Sequence, residues 1–246
     1  MIKLIASDLD GTLLPRGEKR ISAEVENSIK AALGRGVRVA IITGRSYPSV
    51  KVPMPLESDE IYYYCCGGAV GIKGGKTLYS KPVSGENVIL ALKTARARGV
   101  AVMLSGDTEA YIYGDEKGVY DELCRSHGGA TKITCMTQVK RPIYKISFLG
   151  VGNEPIFERV PNGLKLWYAR YGLEEYINRF AGKGQALSDL MMREGVLSGE
   201  VVAAGDVVSD DADMLKKAGR GYAFSVDLAR ETGAALTENP LRIFEI

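Results

Sequence analysis

The chain has 246 residues, of which 46% are hydrophobic and 25% are charged, and its net charge is +2. This ordinary globular composition contains no basic block typical of nucleic-acid binding, no acidic tail, and no apolar run of about 18 residues that could span a membrane. We therefore expect a soluble, cytoplasmic protein that binds neither nucleic acid nor a membrane.

The first eighty residues alternate between strand and helix patterns. Apolar residues at helical spacing predict a helix over residues 21–36, with Ser22 as its cap and glycine at its end. Strands are predicted at residues 2–6, 37–42 and 60–66, followed by a hairpin with a two-glycine turn at 69–79. This alternation is typical of a parallel sheet covered by helices.

The middle of the chain has a different pattern. A predicted helix over residues 84–98 is followed by short strands that polar turns separate, and by a short helix at 120–126. The predicted strands lie at residues 100–105, 111–114, 131–136, 144–150 and 165–171. Such a segment is typical of an α+β module with a largely antiparallel sheet.

The alternation of strand and helix resumes after Lys183. Helices are predicted at residues 184–195, 211–219 and 227–233, and strands at 199–206 and 221–225. The sequence therefore predicts an α/β fold. Its Rossmann-like parallel-sheet core comprises residues 1–82 and 181–246, and an inserted α+β domain at 83–180 interrupts it.

Three polar motifs each follow a predicted strand of the core: SDLDGT at residues 7–12, TGRS at 43–46 and GDVVSDD at 205–211. Functional groups in parallel sheets collect at the carboxyl ends of the strands, so we expect these motifs to form one site. Asp8 and Asp10 are two residues apart and would point the same way from a strand. Two carboxylates that face one space need a cation, a shared proton or solvent.

Cysteine and histidine contribute little to this chemistry. The four cysteines lack a CxxC spacing, and the single histidine, His127, is far from the adjacent Cys65 and Cys66. This pattern argues against a zinc site and against a histidine-dependent triad. We expect the cysteines to be thiols in a reducing compartment, and any catalysis to depend on carboxylates, lysine, hydroxyl groups or metal.

Four motifs occur in the chain in the same order as in a known protein family. DLDGT at residues 8–12, TGR at 43–45, GKGQAL at 182–187 and GDVVSDD at 205–211 occur in sequence. On these motifs the chain resembles the haloacid dehalogenase-like (HAD) phosphohydrolases of the Cof-type subclass, IIB, which carry a large α/β cap. The resemblance implies that the inserted domain is a cap that closes over the site and sets substrate specificity. Its binding residues are not assigned, and the segment 105–108 and Lys145 are the candidates.

The two aspartates of the first motif suit phosphate ester hydrolysis. A carboxylate can attack phosphorus and form an aspartyl phosphate, which divides one difficult displacement into two easier ones. Asp8, at the end of the strand, is the candidate nucleophile. Asp10 would protonate the leaving alcohol and then deprotonate the attacking water, while Gly11 permits the sharp turn.

Phosphate binding is predicted at the second motif and at Lys183. The Thr43 hydroxyl and the backbone N–H groups of Thr43 and Gly44 could donate to phosphate oxygens, and Lys183 would place a fixed positive charge beside the phosphate and Asp8. Arg45 would either reach the phosphate or lock its loop, and the sequence leaves both roles open.

A magnesium ion would relieve the repulsion between these carboxylates and a dianionic phosphate. The resemblance implies that Asp8, the backbone carbonyl of Asp10, and Asp206 are ligands. The last motif departs from the family pattern GDxxND, so the second acidic residue is taken to be Asp210, with Asp211 as the alternative. A second departure, CGGA at 66–69 where relatives often have NGA, leaves Gly67 without a side chain to contact the substrate.

The sequence thus predicts a Mg²⁺-dependent phosphatase that acts on small phosphorylated metabolites, such as sugar phosphates or phosphoglycolate. One alternative is a phosphomutase, which returns the phosphoryl group to a substrate hydroxyl; the TGR loop argues against it. Another is a non-catalytic sensor of a phosphorylated ligand; the intact Asp8, Asp10, Lys183 and Asp206 argue against it. No oligomeric state is predicted.

Overall fold

The structure is a computed structural model that describes residues 1–54, 56, 59–114, 129–170 and 172–246. It divides into two compact units. The first unit comprises Met1–Gly44, Pro53–Tyr79 and Gly182–Ile246, and the second unit comprises Arg45–Val52 and Ser80–Ala181. The predicted core of residues 1–82 and 181–246 includes residues 45–52, 80–82 and 181, whereas here these residues belong to the second unit. No helix within the described ranges is both long enough and apolar enough to cross a bilayer.

The strands are numbered in chain order. They are β1 (Leu4–Ser7), β2 (Arg38–Ile42), β3 (Tyr62–Cys65), β4 (Val70–Lys73), β5 (Lys76–Ser80), β6 (Ala101–Ser105), β7 (Ala110–Tyr113), β8 (Thr131–Lys132), β9 (Lys145–Val151), β10 (Leu164–Arg170), β11 (Gly172–Asn178), β12 (Val201–Gly205), β13 (Arg220–Ala223) and β14 (Ala235–Leu236).

The α-helices are numbered in the same way. They are α1 (Ala23–Gly34), α2 (Tyr47–Val50), α3 (Gly85–Arg98), α4 (Lys183–Glu194), α5 (Val208–Lys217) and α6 (Val226–Thr232). Short 3₁₀ helices lie at Met136–Gln138, Ser198–Glu200 and Pro240–Phe244.

The first unit is built on an eight-stranded sheet in the order β14-β13-β12-β1-β2-β3-β4-β5. Pairing is parallel from β14 through β3 and antiparallel between β3 and β4. The predicted α/β fold with a parallel-sheet core is therefore confirmed. Because β1 lies between β12 and β2, the residues that follow these three strands emerge side by side at one edge of the sheet.

Local sequence signals explain the helices of the first unit. The Ser22 hydroxyl accepts a hydrogen bond from the Val25 N–H at 3.3 Å, so the predicted cap of α1 is confirmed. On α4, Leu187 and Leu190 are buried with Leu4 and Ala203 in one hydrophobic cluster, because this spacing places both leucines on one face of the helix. This packing holds the first turn of α4 close to the ends of β1 and β12.

The second unit contains a six-stranded sheet in the order β10-β11-β9-β6-β7-β8, antiparallel except between β7 and β8. The predicted antiparallel α+β character is confirmed. Helix α3, capped by the Ser84 hydroxyl, packs its buried residues against one face of the sheet, where Val102, Leu104 and Phe148 lie.

The second unit differs from the sequence prediction at two strands, and one predicted helix lies outside the described residues. The strand predicted at 131–136 ends at Lys132, because the Gln138 side chain accepts hydrogen bonds from the N–H groups of Thr134 and Cys135 and turns the chain. Strand β11 was not predicted, because its two glutamates obscure the apolar alternation. The helix predicted at 120–126 lies outside the described residues, as do His127 and Cys124.

Candidate active site

The site lies where β1, β2 and β12 end side by side. Ser7, the last residue of β1, pairs with Ala204 of β12 and with Ile41 of β2. Asp8 therefore emerges beside the chain that leads to Asp206 on one side and to Thr43 on the other. The predicted meeting of the three motifs at one sheet edge follows directly from this register.

The backbone N–H and carbonyl groups of Asp8 are both held by hydrogen bonds. The Asp8 N–H donates to the Ala204 carbonyl at 2.9 Å, which extends the sheet by one residue, and the Ser7 hydroxyl donates to the Asp8 carbonyl at 2.7 Å. The residue is only 5% exposed. Asp8 is therefore a buried carboxylate on a rigid support, which is the arrangement a nucleophile needs.

Lys183 is the first residue of α4 and forms the centre of the charged cluster. Its Nζ lies 2.8 Å from Asp8 Oδ1, 2.6 Å from Asp210 Oδ2 and 2.8 Å from Asp211 Oδ1. Burial alone would lower the pKa of Lys183, but the carboxylates of Asp211, Asp8 and Asp210 outweigh burial and raise the pKa above its ordinary value. Lys183 is therefore a fixed ammonium group.

Asp211 is the most buried acid of the cluster, with no solvent exposure. Its Oδ1 accepts from Lys183, and its Oδ2 accepts from the N–H groups of Asp206 and Val207 at 2.9 and 3.0 Å. Both oxygens are thus engaged, and they tie the start of α5 to the end of β12. This arrangement suits a residue that holds Lys183 and Asp206 in place.

Asp8, Asp206 and Asp211 each offer a carboxylate oxygen within 4.8 Å of the others. Within the described part of the chain, Asp206 Oδ1 is buried without a hydrogen-bond partner. An unpaired buried carboxylate oxygen in an acidic cluster suits a hard divalent cation. The residues present therefore fit Mg²⁺. Asp210, the favoured second acid, is not in this group of three and contacts Lys183 instead; Asp211, the alternative, is in it.

Burial raises the pKa values of two aspartates in the cluster. Burial raises the pKa of Asp8 well above the ordinary range of an aspartate; Lys183 opposes this effect, and Asp211 and Asp210 add to it. Burial also raises the pKa of Asp206, which the contact with Arg16 partly offsets. A bound cation would favour the charged carboxylates and reverse this tendency.

Asp10 lies in the tight turn after β1, and its side chain is exposed rather than buried with Asp8. The turn is closed by hydrogen bonds from Gly11 N–H to the Leu14 carbonyl and from Leu14 N–H to the Leu9 carbonyl, both 2.8 Å. Gly11 has a φ of +81°, and a Cβ there would collide with the Asp206 carboxylate. Glycine is therefore required by the close approach of this turn to the metal candidates.

Thr43 is fully buried directly after β2. Its N–H donates to the Tyr64 carbonyl at 2.8 Å, and its carbonyl accepts from Gly67. The expectation that the Thr43 N–H binds phosphate is thus wrong, because the sheet already uses that donor. The hydroxyl of Thr43 and the N–H of Gly44 stay candidates.

Arg45 belongs to the second unit, where its Nη1 donates to the Ser49 carbonyl at 3.4 Å. This contact corresponds to the loop-locking role, one of the two that the sequence left open.

Sequence reasoning missed Arg16. Its Nη2 lies 3.2 Å from Asp206 Oδ2, although its side chain is 85% exposed. The single available signal was the position of Arg16 as the first cationic residue after the DLDGT motif. A cation that reaches a metal-candidate carboxylate from solvent can be displaced by the metal.

The sequence matches the haloacid dehalogenase-like hydrolase family over residues 5–226. The chain belongs to this family. A curated relative, the phosphoglycolate phosphatase of Staphylothermus marinus, is 26% identical, and the match covers 85% of this chain and 80% of the relative. The resemblance stated from the motifs is confirmed, as is the prediction of an enzyme, a hydrolase of the phosphatase class.

Solved structures share the fold at low identity. A haloacid dehalogenase-like hydrolase from Bacteroides thetaiotaomicron has a TM-score of 0.85 at 21% identity, covering 97% of this chain and 95% of its own. The HAD subclass IIB sugar phosphatase BT4131 has a TM-score of 0.78 at 17% identity, covering 96% and 93%. These matches extend over both units of the HAD hydrolase described here.

Proposed function

We propose that this HAD hydrolase is a Mg²⁺-dependent phosphatase that hydrolyses phosphomonoesters of small metabolites through an aspartyl phosphate. The observation that carries the proposal is the buried Asp8 carboxylate, held 2.8 Å from the Lys183 ammonium group and within 4.8 Å of Asp206 and Asp211. A buried cluster of like charges is costly to form, so its presence at the ends of the strands favours a chemical role for these residues.

In the first half of the reaction, an Asp8 carboxylate oxygen attacks the substrate phosphorus. The new bond between Asp8 and phosphorus forms as the bond to the leaving alcohol oxygen breaks, and Asp10 gives that oxygen a proton. Lys183 supplies positive charge to the transferring group, and the Thr43 hydroxyl and Gly44 N–H donate to its oxygens.

In the second half, Asp10 takes a proton from water, and the water oxygen attacks the phosphorus of the aspartyl phosphate. The bond to Asp8 breaks, inorganic phosphate leaves, and both aspartates return to their starting state. The exposed position of Asp10 suits this role, because the residue must meet both the leaving alcohol and incoming water.

Asp8, Asp206 and the backbone carbonyl of Asp10 would hold Mg²⁺, with Asp211 or Asp210 as the further acidic residue. The bound ion would neutralise negative charge on the phosphate and on the carboxylates around it. The buried Oδ1 of Asp206, which has no hydrogen-bond partner among the described residues, supports its assignment as a metal ligand.

The second unit, as a cap, would close over the substrate and determine which alcohol is accepted. We place the enzyme in the cytoplasm, because Cys65, Cys66 and Cys135 are thiols rather than disulfides, as expected in a reducing compartment.

The direct test measures phosphate release from a panel of phosphorylated metabolites, with and without Mg²⁺, for the wild-type protein and for Asp8→Asn. We expect release that needs the metal and is lost in the variant. Release by Asp8→Asn at the wild-type rate would exclude the aspartyl phosphate. Transfer of phosphate to a substrate hydroxyl without net release would favour the phosphomutase, and ligand-induced stabilisation without turnover would favour the sensor.

A further inference from the structure

The three residues after β3 form an unusual turn, in the CGGA segment that the proposed function leaves without a role. Cys66, Gly67 and Gly68 have φ values of +55°, +67° and +80°, so three successive residues lie in the left-handed region. The Ala69 N–H closes the turn by donating to the Cys65 carbonyl at 2.9 Å. These three residues are here called the left-handed turn.

Cys66 makes the left-handed turn costly. Among the described residues it is the one non-glycine residue with a positive φ, and it is fully buried. A Cβ in this conformation lies too close to the following carbonyl oxygen, a cost that glycine would avoid. Residues other than glycine keep such a conformation where the surrounding structure holds them in it, and they cluster at functional sites. The neighbours of the turn therefore indicate what it does.

One neighbour of the left-handed turn is Thr43, the candidate phosphate-binding residue after β2. The Gly67 N–H donates to the Thr43 carbonyl at 3.0 Å, and the Thr43 N–H donates to the Tyr64 carbonyl at 2.8 Å. Thr43 is thus held on both sides, by a residue just before the turn and by a residue inside it. A displacement of the turn would shift Thr43 and, with it, the hydroxyl group that is a candidate for the phosphate.

The other neighbour is the start of α4. A Cβ added at Gly68 would lie only 2.6 Å from the Gly182 carbonyl oxygen and 3.1 Å from the Ala186 Cβ. The same carbonyl accepts a hydrogen bond from the Ala186 N–H at 2.9 Å, in the first turn of α4. Lys183 belongs to this turn of the helix, so the left-handed turn packs directly against the backbone that carries Lys183.

We propose that the left-handed turn sets the spacing between Thr43 and Lys183, so that the hydroxyl group of one and the ammonium group of the other contact the same phosphoryl group. This inference rests on the proposed phosphatase function. The residues of the turn are positioning residues, because they act through Thr43 and Lys183 rather than on the phosphate. Phosphoryl transfer depends mainly on such positioning, since the protein does little covalent work on the transferring group.

The close approach at Gly68 shows how sensitive this spacing is. With a side chain at this position, β3 and α4 would have to move apart by about 0.7–1 Å, since carbon–oxygen contacts lie at about 3.3–3.6 Å. A misplacement of about 1 Å can slow an enzyme about a hundredfold. The whole turn is buried, so a substitution inside it is transmitted to its neighbours rather than absorbed by solvent.

The chain offers a matched control for Gly68→Ala. Gly36 has a φ of +77°, close to the +80° of Gly68, but no heavy atom of the described residues outside its own chain neighbours lies within 4 Å of a Cβ added there. Gly36→Ala therefore introduces similar backbone strain without a collision. Only Gly68→Ala should displace α4.

A second pair of variants serves if Gly68→Ala does not fold. Cys66→Val introduces a β-branched side chain, which disfavours a positive φ, inside the left-handed turn. Cys65→Val makes the same change at an equally buried position at the end of β3, where extended backbone suits a β-branched residue.

The experiment measures kcat and KM for para-nitrophenyl phosphate with saturating Mg²⁺, at a temperature at which circular dichroism shows each variant to be folded. We expect Gly68→Ala and Cys66→Val to lower kcat at least tenfold with KM within threefold, and both controls to keep kcat within twofold. Inhibition by orthovanadate, which adopts the five-coordinate geometry of the transferring phosphoryl group, should weaken in parallel with kcat. Inhibition by inorganic phosphate should change less than threefold, a contrast that a loss of stability alone would not produce.

Three results would overturn the inference while leaving the proposed function intact. One is a wild-type kcat in folded Gly68→Ala and Cys66→Val. Another is an equal loss of kcat in each variant and its control, which would indicate a general effect of strain or packing. The third is failure of both turn variants to fold, which would assign the turn to folding. If wild-type protein releases phosphate neither from para-nitrophenyl phosphate nor from the panel of metabolites, the proposed function fails as well.

Discussion

Asp8 and Lys183 form a buried ion pair, with Lys183 Nζ 2.8 Å from Asp8 Oδ1 and neither side chain more than 7% exposed. The pair joins the end of β1 to the start of α4, two segments that lie far apart in the sequence. Since Asp210 and Asp211 contact the same ammonium group, Lys183 compensates three carboxylates at once.

Removing this cation should destabilise the protein strongly. We expect Lys183→Met to lower the free energy of unfolding by about 3–5 kcal/mol, because the buried carboxylates of Asp8 and Asp211 and the partly buried carboxylate of Asp210 lose their shared partner. Urea unfolding without metal measures the effect. Lys216→Met is the control, since Lys216 pairs with Glu231 at the surface and should cost less than about 1 kcal/mol. Equal losses in the two variants would contradict the central role of Lys183.

Asp8→Asn should separate catalysis from folding. We expect turnover to fall by at least about a thousandfold, because an amide cannot replace the carboxylate nucleophile. The melting temperature without metal should not fall, because the change removes one of several like charges packed around Lys183. Asp213→Asn, at a position with a 63% exposed side chain, should alter neither property. A folded Asp8→Asn variant with wild-type turnover would refute the assignment.

The two candidate acids of the last motif should behave differently. Asp211→Asn replaces an acceptor that serves Lys183 and two backbone N–H groups, and we expect a loss of about 2–4 kcal/mol in unfolding free energy. Asp210→Asn should cost about 1 kcal/mol, because Asp210 is partly exposed and solvent screens its contact with Lys183. Chemical denaturation of both variants decides the order, and the reverse order would show that Asp210 is the structural anchor.

Arg16 should compete with the metal. Its Nη2 contacts Asp206 Oδ2, so Mg²⁺ binding must displace it or share the carboxylate. We expect Arg16→Ala to tighten Mg²⁺ binding by about threefold to tenfold in calorimetric titration. The gain in affinity is modest because Arg16 is largely exposed, so its contact with Asp206 is weak. Arg20→Ala, an exposed arginine in the same loop, is the control. Unchanged or weaker Mg²⁺ affinity in Arg16→Ala would show that the contact does not oppose the metal.

A second ion pair of the first unit should affect stability in acid. Burial would raise the pKa of Glu194, but hydrogen bonds from Tyr62 and Arg38 outweigh it and lower the pKa below its ordinary value. A carboxylate whose pKa is lower in the folded state stabilises the fold above its unfolded pKa, and this contribution is lost as the pH falls through the folded pKa.

We therefore expect Glu194→Gln to reduce unfolding free energy by about 1 kcal/mol at neutral pH and by progressively less below pH of about 4. Unfolding curves across this range measure the difference. If the difference in unfolding free energy between variant and wild type grows as the pH falls, the pKa of Glu194 is not lowered by folding. Glu245→Gln, in an exposed pair with Arg242, should show a smaller effect at every pH.

Much of the fold could be predicted because local patterns agreed with the tertiary structure. Residues 2–6, 21–36 and 37–42 have continuous apolar runs or a clear helical period, and each became the expected element. Prediction failed where tertiary partners override local pattern. In β11, Glu174 and Glu175 are tolerated inside a strand because each finds a partner across the sheet or from a distant segment.

The sequence by itself determined the family and the α/β class. It also predicted that Asp8, Thr43 and Asp206, which follow strands, and Lys183 form one candidate site. Only the tertiary structure decided which partner each of these groups contacts. The Thr43 N–H donates within the sheet, Asp211 rather than Asp210 lies close to Asp8 and Asp206, and Arg16 contacts Asp206. The physical reason is that hydrogen bonds and charges between distant segments depend on distances of a few tenths of an ångström, which no local sequence pattern encodes.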